Sequence, residues 1–204
     1  MKPRTTCLLL GTVLLAGCWQ KSISPFYTGK DLVAEPKLAG VWREPRDPSE
    51  TGEDSRATWE FTRGDDKRFD LVIWNKEDRQ EYDAHVFKLG DERFLDIGSK
   101  SRAISATPVH HLFKLMSVEP DLKLAALNTD WMQKWLRQHP ESLAHVAVSD
   151  LEHPEDRDKD ELVLTAETKT LQSFVRQHAR DENFFAESTP MQRQSNAGNA
   201  PQTR

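Results

Sequence analysis

Several groups in this chain have the residue types and spacing to do chemistry, and each implies a different one. His110 and His111 are adjacent, with His85 and His145 elsewhere, which invites a metal ion. On a strand, however, neighbouring side chains leave opposite faces, so the two cannot hold one ion unaided. Nothing in the spacing supplies the missing ligands, and the expectation is no metal site. Asp156, Asp158, Asp160, Val163 and Glu167 fall at positions 1, 3, 5, 8 and 12 of a calcium loop. Position 6, where such a loop needs glycine, is Glu161, and Leu162-Val163-Leu164 reads as a strand entering a core. The run is therefore expected to be a solvated acidic turn. No Gly-x-Ser-x-Gly elbow and no glycine cluster for a phosphate are present. The expectation is a protein that is not an enzyme and needs no cofactor.

The large aromatics are the remaining lead. Trp42, Trp59, Phe61, Phe69, Trp74, Phe87, Phe94 and Phe113 are spread through alternating segments. Such side chains dominate burial in small sheets, which makes them a solid core. The sharper reading is a cavity for a lipid or other small apolar ligand, with Trp42, Trp59, Trp74, Phe94 and Phe113 as candidate lining residues. Trp74, beside Asn75-Lys76-Glu77, would stand at its rim.

At the N-terminus, Lys2 and Arg4 precede an apolar run from Leu8 to Ala16, and Gly17-Cys18 follows. A basic start, a short apolar stretch and small residues before a cut site make a secretory signal over residues 1–17. Nine helical residues rise only about 14 Å, too little for a ~30 Å hydrocarbon core. The other cysteine, Cys7, lies in the leader, so the mature chain can form no internal disulfide. Lys and Arg number 28 against 33 Asp and Glu, a net charge of −5 that becomes −7 without Lys2 and Arg4. A balance that acidic argues against binding nucleic acid, which needs a positive field. With 30% charged residues and a mean hydropathy of −0.71, a polytopic membrane protein is excluded. The 37% of apolar residues still suffices for a core.

The elements that would position these residues follow from periodicity. Residues 18–36, with Pro25, Gly29 and Pro36, read as a tether, although Pro25-Phe26-Tyr27 could dock part of it. Residues 37–187 read as one domain, and residues 188–204, with one Met as the only large apolar residue, as a disordered tail. Within the domain the period is mostly two. Strands are expected around Ala57 to Phe61, Phe69 to Ile73, Gln80 to Leu89, Arg93 to Ile97, Val109 to Val118, Leu122 to Leu127, Leu143 to Val148 and Leu162 to Leu164. Gly64-Asp65-Asp66, Gly90-Asp91 and Glu119-Pro120-Asp121 supply turns. Two segments are helical: one after Asn128-Thr129-Asp130, with Trp131, Met132, Trp135 and Leu136 on one face, and one from Thr168, with Leu171, Phe174, Val175 and His178. The expected class is mainly β with two helices, an antiparallel meander of about eight strands that is curved or closed.

Leu15-Ala16-Gly17-Cys18 resembles the lipobox of bacterial lipoproteins. The resemblance implies cleavage before Cys18 and lipid on that cysteine. The membrane would then be the partner, through two or three acyl chains that anchor where one would not. Trp19, in place of the Asp that favours inner-membrane retention, implies the outer membrane, facing the periplasm. Gly40-x-Trp42 resembles the first-strand motif of lipocalins and implies a barrel. Pro25-Phe26-Tyr27-Thr28, Lys30-Asp31-Leu32-Val33, Leu38-x-Gly40-x-Trp42, Phe94-Leu95-Asp96, Ala125-Ala126-Leu127-x-x-Asp130-Trp131 and Leu164-Thr165-Ala166 resemble blocks of an uncharacterised family of bacterial lipoproteins. That family carries no activity across. The expected function is thus a lipid-anchored envelope module for interaction or structure, with a lipocalin-like carrier as the alternative.

Overall fold

A computed structural model describes residues 19–46, 54–65, 67–100, 108–148, 161–188 and 190–195. The strands in chain order are β1 Lys21–Ser22, β2 Gly40–Arg43, β3 Thr58–Arg63, β4 Arg68–Trp74, β5 Arg79–Leu89, β6 Glu92–Ser99, β7 His110–Ser117, β8 Leu122–Ala126, β9 His145–Val148, β10 Glu161–Leu164 and β11 Pro190–Arg193. Helices α1, Thr129–Gln138, and α2, Thr168–His178, interrupt the series. Neighbours from β2 to β8 pair antiparallel, β8 pairs with β11, and β11 pairs with β2. Eight strands therefore close into an antiparallel barrel. β1 leaves the ring beside β7 and carries β10 and then β9 outward, a three-stranded flap with β9 at its free edge.

Alternation sends one face of each barrel strand inward. Trp42, Trp59, Phe61, Phe69, Leu71, Ile73, Tyr82, Ala84, Val86, Leu95, Ile97, Phe113, Leu115, Leu122, Leu124 and Met191 form one buried cluster there. An eight-stranded barrel is just wide enough for side chains to fill, and these side chains lie inside it. The outer face of β5, β6 and β7 is buried as well. Phe87, Leu89, Phe94 and Leu112 pack beneath Met132 and Leu136 of α1 and Leu171, Phe174 and Val175 of α2. Each such side chain contributes roughly 1.5–3 kcal/mol on burial. α1 is capped as expected: the Asn128 side chain accepts from the N–H groups of Asp130 and Trp131.

Two expectations fail at the ends of the chain. Residues 19–36 are built into the domain rather than serving as a free tether. Trp19, Gln20, Ser22 and Phe26 are buried, Lys21–Ser22 is a strand, and Phe26 joins the core under the helices. Of the tail, Pro190–Arg193 is the strand that closes the ring. Its Arg193 lies over the Trp42 ring at 4.1 Å, and Nη1 donates to Ala39 O at 2.6 Å. Gly40, at φ 140°, makes room: a Cβ there would lie 2.2 Å from Arg193 Nη1. The Gly-x-Trp pair thus seats an arginine, with cation–π attraction holding the last strand to the first of the ring.

Candidate functional site

The barrel has two unlike ends. At one, short turns join β3 to β4 and β5 to β6, and residues 36–38 form a single helical turn whose Leu38 is buried over the core. Leu38 O accepts from Trp42 Nε1 at 2.9 Å. At the other end, the mouth, Trp19 enters between the wall strands. Its ring lies 5.7 Å from Trp59, 5.5 Å from His111 and 5.0 Å edge-on from Phe113. His111 Nδ1 donates to Gln20 O at 3.2 Å, and burial holds the imidazole below its ordinary pKa, hence neutral. Gln20 Nε2 reaches Leu162 O at 2.6 Å, tying the plug to the flap. Next to it, Asp54 bridges Arg43 at 3.0 Å and Arg56 at 2.8 Å across the start of β3. Hydrogen bonds from Arg56 hold its carboxyl far below the usual carboxylate range. The mouth is thus an apolar aromatic plug inside a polar rim.

A second cluster lies on the outer wall, under the segment that follows β1. Register places Arg68, His85 and Asp96 in one row across β4 to β6, and Asp70, Asp83, Gly98 and His110 in the next across β4 to β7. Gly98 has no side chain, and His110 leans across it; a Cβ there would stand 3.1 Å from the ring. His110 Nδ1 meets Asp96 Oδ1 at 2.7 Å, while Oδ2 accepts the N–H of Phe26 at 2.8 Å. Tyr27 stacks on His85 at 4.6 Å, and its hydroxyl hydrogen-bonds Nδ1 at 3.0 Å. Burial, with Asp96 and Asp83 nearby, pushes the Tyr27 hydroxyl up to about 12, and burial lowers His85. Gln172 of α2 donates to Phe26 O at 3.1 Å and to Asp31 Oδ2 at 2.8 Å. Both Asp96 oxygens are spent holding neighbours. The cluster is a clip that fastens residues 25–31 between wall and helix.

The candidate lining residues are split by this architecture. Trp42, Trp59 and Phe113 are in the barrel interior. Phe94 faces the other way, stacked at 5.5 Å on Phe87 beneath the helices. Trp74 is half-buried on the outer face at the end of β4, with Arg79 6.0 Å above its ring. The five therefore do not line one cavity. Cys18, Asp156, Asp158 and Asp160 lie outside the described residues; Glu161 is in β10, paired with Lys21 at 2.8 Å. His110 and His111 point to opposite faces, and His145 Nδ1 donates to Leu143 O at 2.8 Å. Among the described residues no three histidine, cysteine or acidic side chains converge on a metal position. Sequence reasoning missed the roles of Trp19, Gln20 and Asp96, each of which has a partner 70 or more residues away: Phe113, Leu162 and Phe26. Comparison with protein-family models, with curated proteins and with solved structures found no match to this chain.

Proposed function

We propose that this protein is a bacterial envelope lipoprotein, anchored by acyl chains on Cys18, whose barrel is a solid, non-enzymatic interaction or structural module. The observation that carries the module reading is the set of large aromatics inside the barrel. Trp42, Trp59, Phe61, Phe69 and Phe113 occupy the space where a carrier would hold its ligand. The anchor reading rests on the secretory leader and the Leu15-Ala16-Gly17-Cys18 pattern, and it gains support from Trp19. Trp19, the second residue after the proposed cleavage site, is already part of the core. Mass analysis of the N-terminal peptide from purified envelopes is expected to show acylated Cys18. Cys18→Ser should release the protein or leave it unprocessed, and unchanged membrane association would refute anchoring.

One observation favours the carrier as a second reading: the Trp19 ring sits in the mouth of a lipocalin-like barrel against Trp59 and Phe113. Withdrawal of that ring would be the way in. Native mass spectrometry of protein purified gently from its host separates the two. No adduct is expected, and a stable adduct of lipid size would sink the solid-module reading.

A further inference from the structure

Ile23, Met116, Val146 and Val148 are the exposed large apolar side chains among the described residues. Met116, 55% exposed, lies near the far end of β7. The other three belong to the flap or adjoin it: Ile23 at 43%, Val146 at 48% and Val148 at 49%. Ile23 follows β1 directly and donates its N–H to Leu164 O at 3.0 Å. Strand pairing settles which face the valines occupy. Val146 is the partner of Val163, and Val163 of Lys21, while Val148 is the partner of Glu161. Partners on neighbouring strands share a face, so Lys21, Val146, Val148, Glu161 and Val163 stand together. The opposite face carries Leu162 and Leu164, which pack against the core beneath the helices. Because Ser22 pairs with His110, an outward residue of β7, the Lys21 face continues the inner wall of the barrel past its mouth. Its two charges are paired with each other, Lys21 to Glu161.

This face lies beside the attachment point of the proposed anchor. Trp19 is fixed in the mouth, and a residue before it lies only about 3.8 Å away along the chain. Strands are spaced about 4.8 Å apart, so Val146 sits about 10 Å from Lys21. Acyl chains on Cys18 would leave no slack between bilayer and flap. We propose that the Val146–Val148–Val163 face of the flap rests on the lipid bilayer, mouth end down, as a second contact beside the acyl chains. The proposal rests on the anchoring of Cys18. The bilayer is the occupant because the anchor brings it there; a solvated apolar face on an open edge strand would otherwise invite pairing between copies. The depth expected is that of an interfacial element, about 5–10 Å into the headgroup boundary.

The test uses full-length, processed protein reconstituted into vesicles of phosphatidylethanolamine and phosphatidylglycerol. A Val146→Cys variant and a Met116→Cys variant are each labelled with an environment-sensitive dye, the acylated Cys18 being unreactive. The Val146 label should be quenched by nitroxide lipids and shielded from iodide, and the Met116 label should show the reverse. A Val146 label open to iodide, on protein whose Cys18 is acylated by mass, overturns the flap contact and leaves the anchor standing. An unmodified Cys18 overturns the anchor reading and this inference with it. A label shielded in detergent as well, with a dimer in sedimentation, assigns the face to a second copy and overturns the bilayer.

Discussion

Gly40 and Arg193 show how much of this fold depends on single atoms. The arginine lies on the Trp42 ring only because residue 40 has no Cβ, and the backbone there sits at φ 140°. Gly40→Ala combines strain with a collision, and it should lower stability by about 1–3 kcal/mol in urea unfolding. An unshifted midpoint would show that the arginine has room to move. The buried imidazoles make a second residue-scale prediction. Burial lowers the pKa of His111 and of His85, so the unfolded chain takes up protons first as pH falls. Stability is therefore expected to hold above about pH 6.5 and to decline below it. Thermal melts across that range should show the decline, and His111→Asn should flatten it. A parallel decline in the variant would remove His111 as a source.

At the scale of elements, β11 is a strand without a strand's sequence. Pro190-Met191-Gln192-Arg193 has one apolar side chain to turn inward, and its stability comes from β2 and β8 rather than from its own pattern. A chain ending at Ser188 would expose both partner edges. Sedimentation is expected to show dimers or aggregates of that truncation, and a stable monomer would mean that the barrel does not need its last strand. Trp19→Ala, which empties the mouth, should cost about 3 kcal/mol. β3 and β4 were legible in the alternation of Trp59 with Phe61, or Phe69 with Leu71 and Ile73, because one face of each is buried more deeply than the other, and β5 to β8 by the turns that separate them. The face of Phe94 was not legible. β6 is buried on both sides, and alternation cannot then say which side is the interior. β1 was hidden for another reason: two residues carry no period, and their partners are far along the chain.

For the molecule as a whole, two apolar layers share one wall. β5, β6 and β7 give one face to the barrel interior and the other to the helices, and residues 19–32 run from the first layer to the second. Neither layer can loosen without exposing the wall of its neighbour, so unfolding should be one cooperative event. Tryptophan fluorescence of a Trp131→Phe, Trp135→Phe variant, which leaves Trp19, Trp42, Trp59 and Trp74 on the barrel side, should change with the same midpoint as the helical far-ultraviolet signal. Separate midpoints would show that the helical layer is an independent unit. The barrel and the two helices were readable from the chain, but the double layer was not. Pro25-Phe26-Tyr27 was readable as a patch that could dock, but where it docks, with Tyr27 on the wall at Phe87 and His85, was not.

The closing strand also sets an order of events for synthesis. The ring joins residue 42 to residue 193 of a 204-residue chain. A nascent polypeptide has every other barrel strand in hand by Ala126 and still cannot complete the circle. Two helices and the whole flap must be made first. The ring therefore closes only after residue 193 has emerged, and a ribosome or export channel that holds back Pro190–Arg193 holds the ring open.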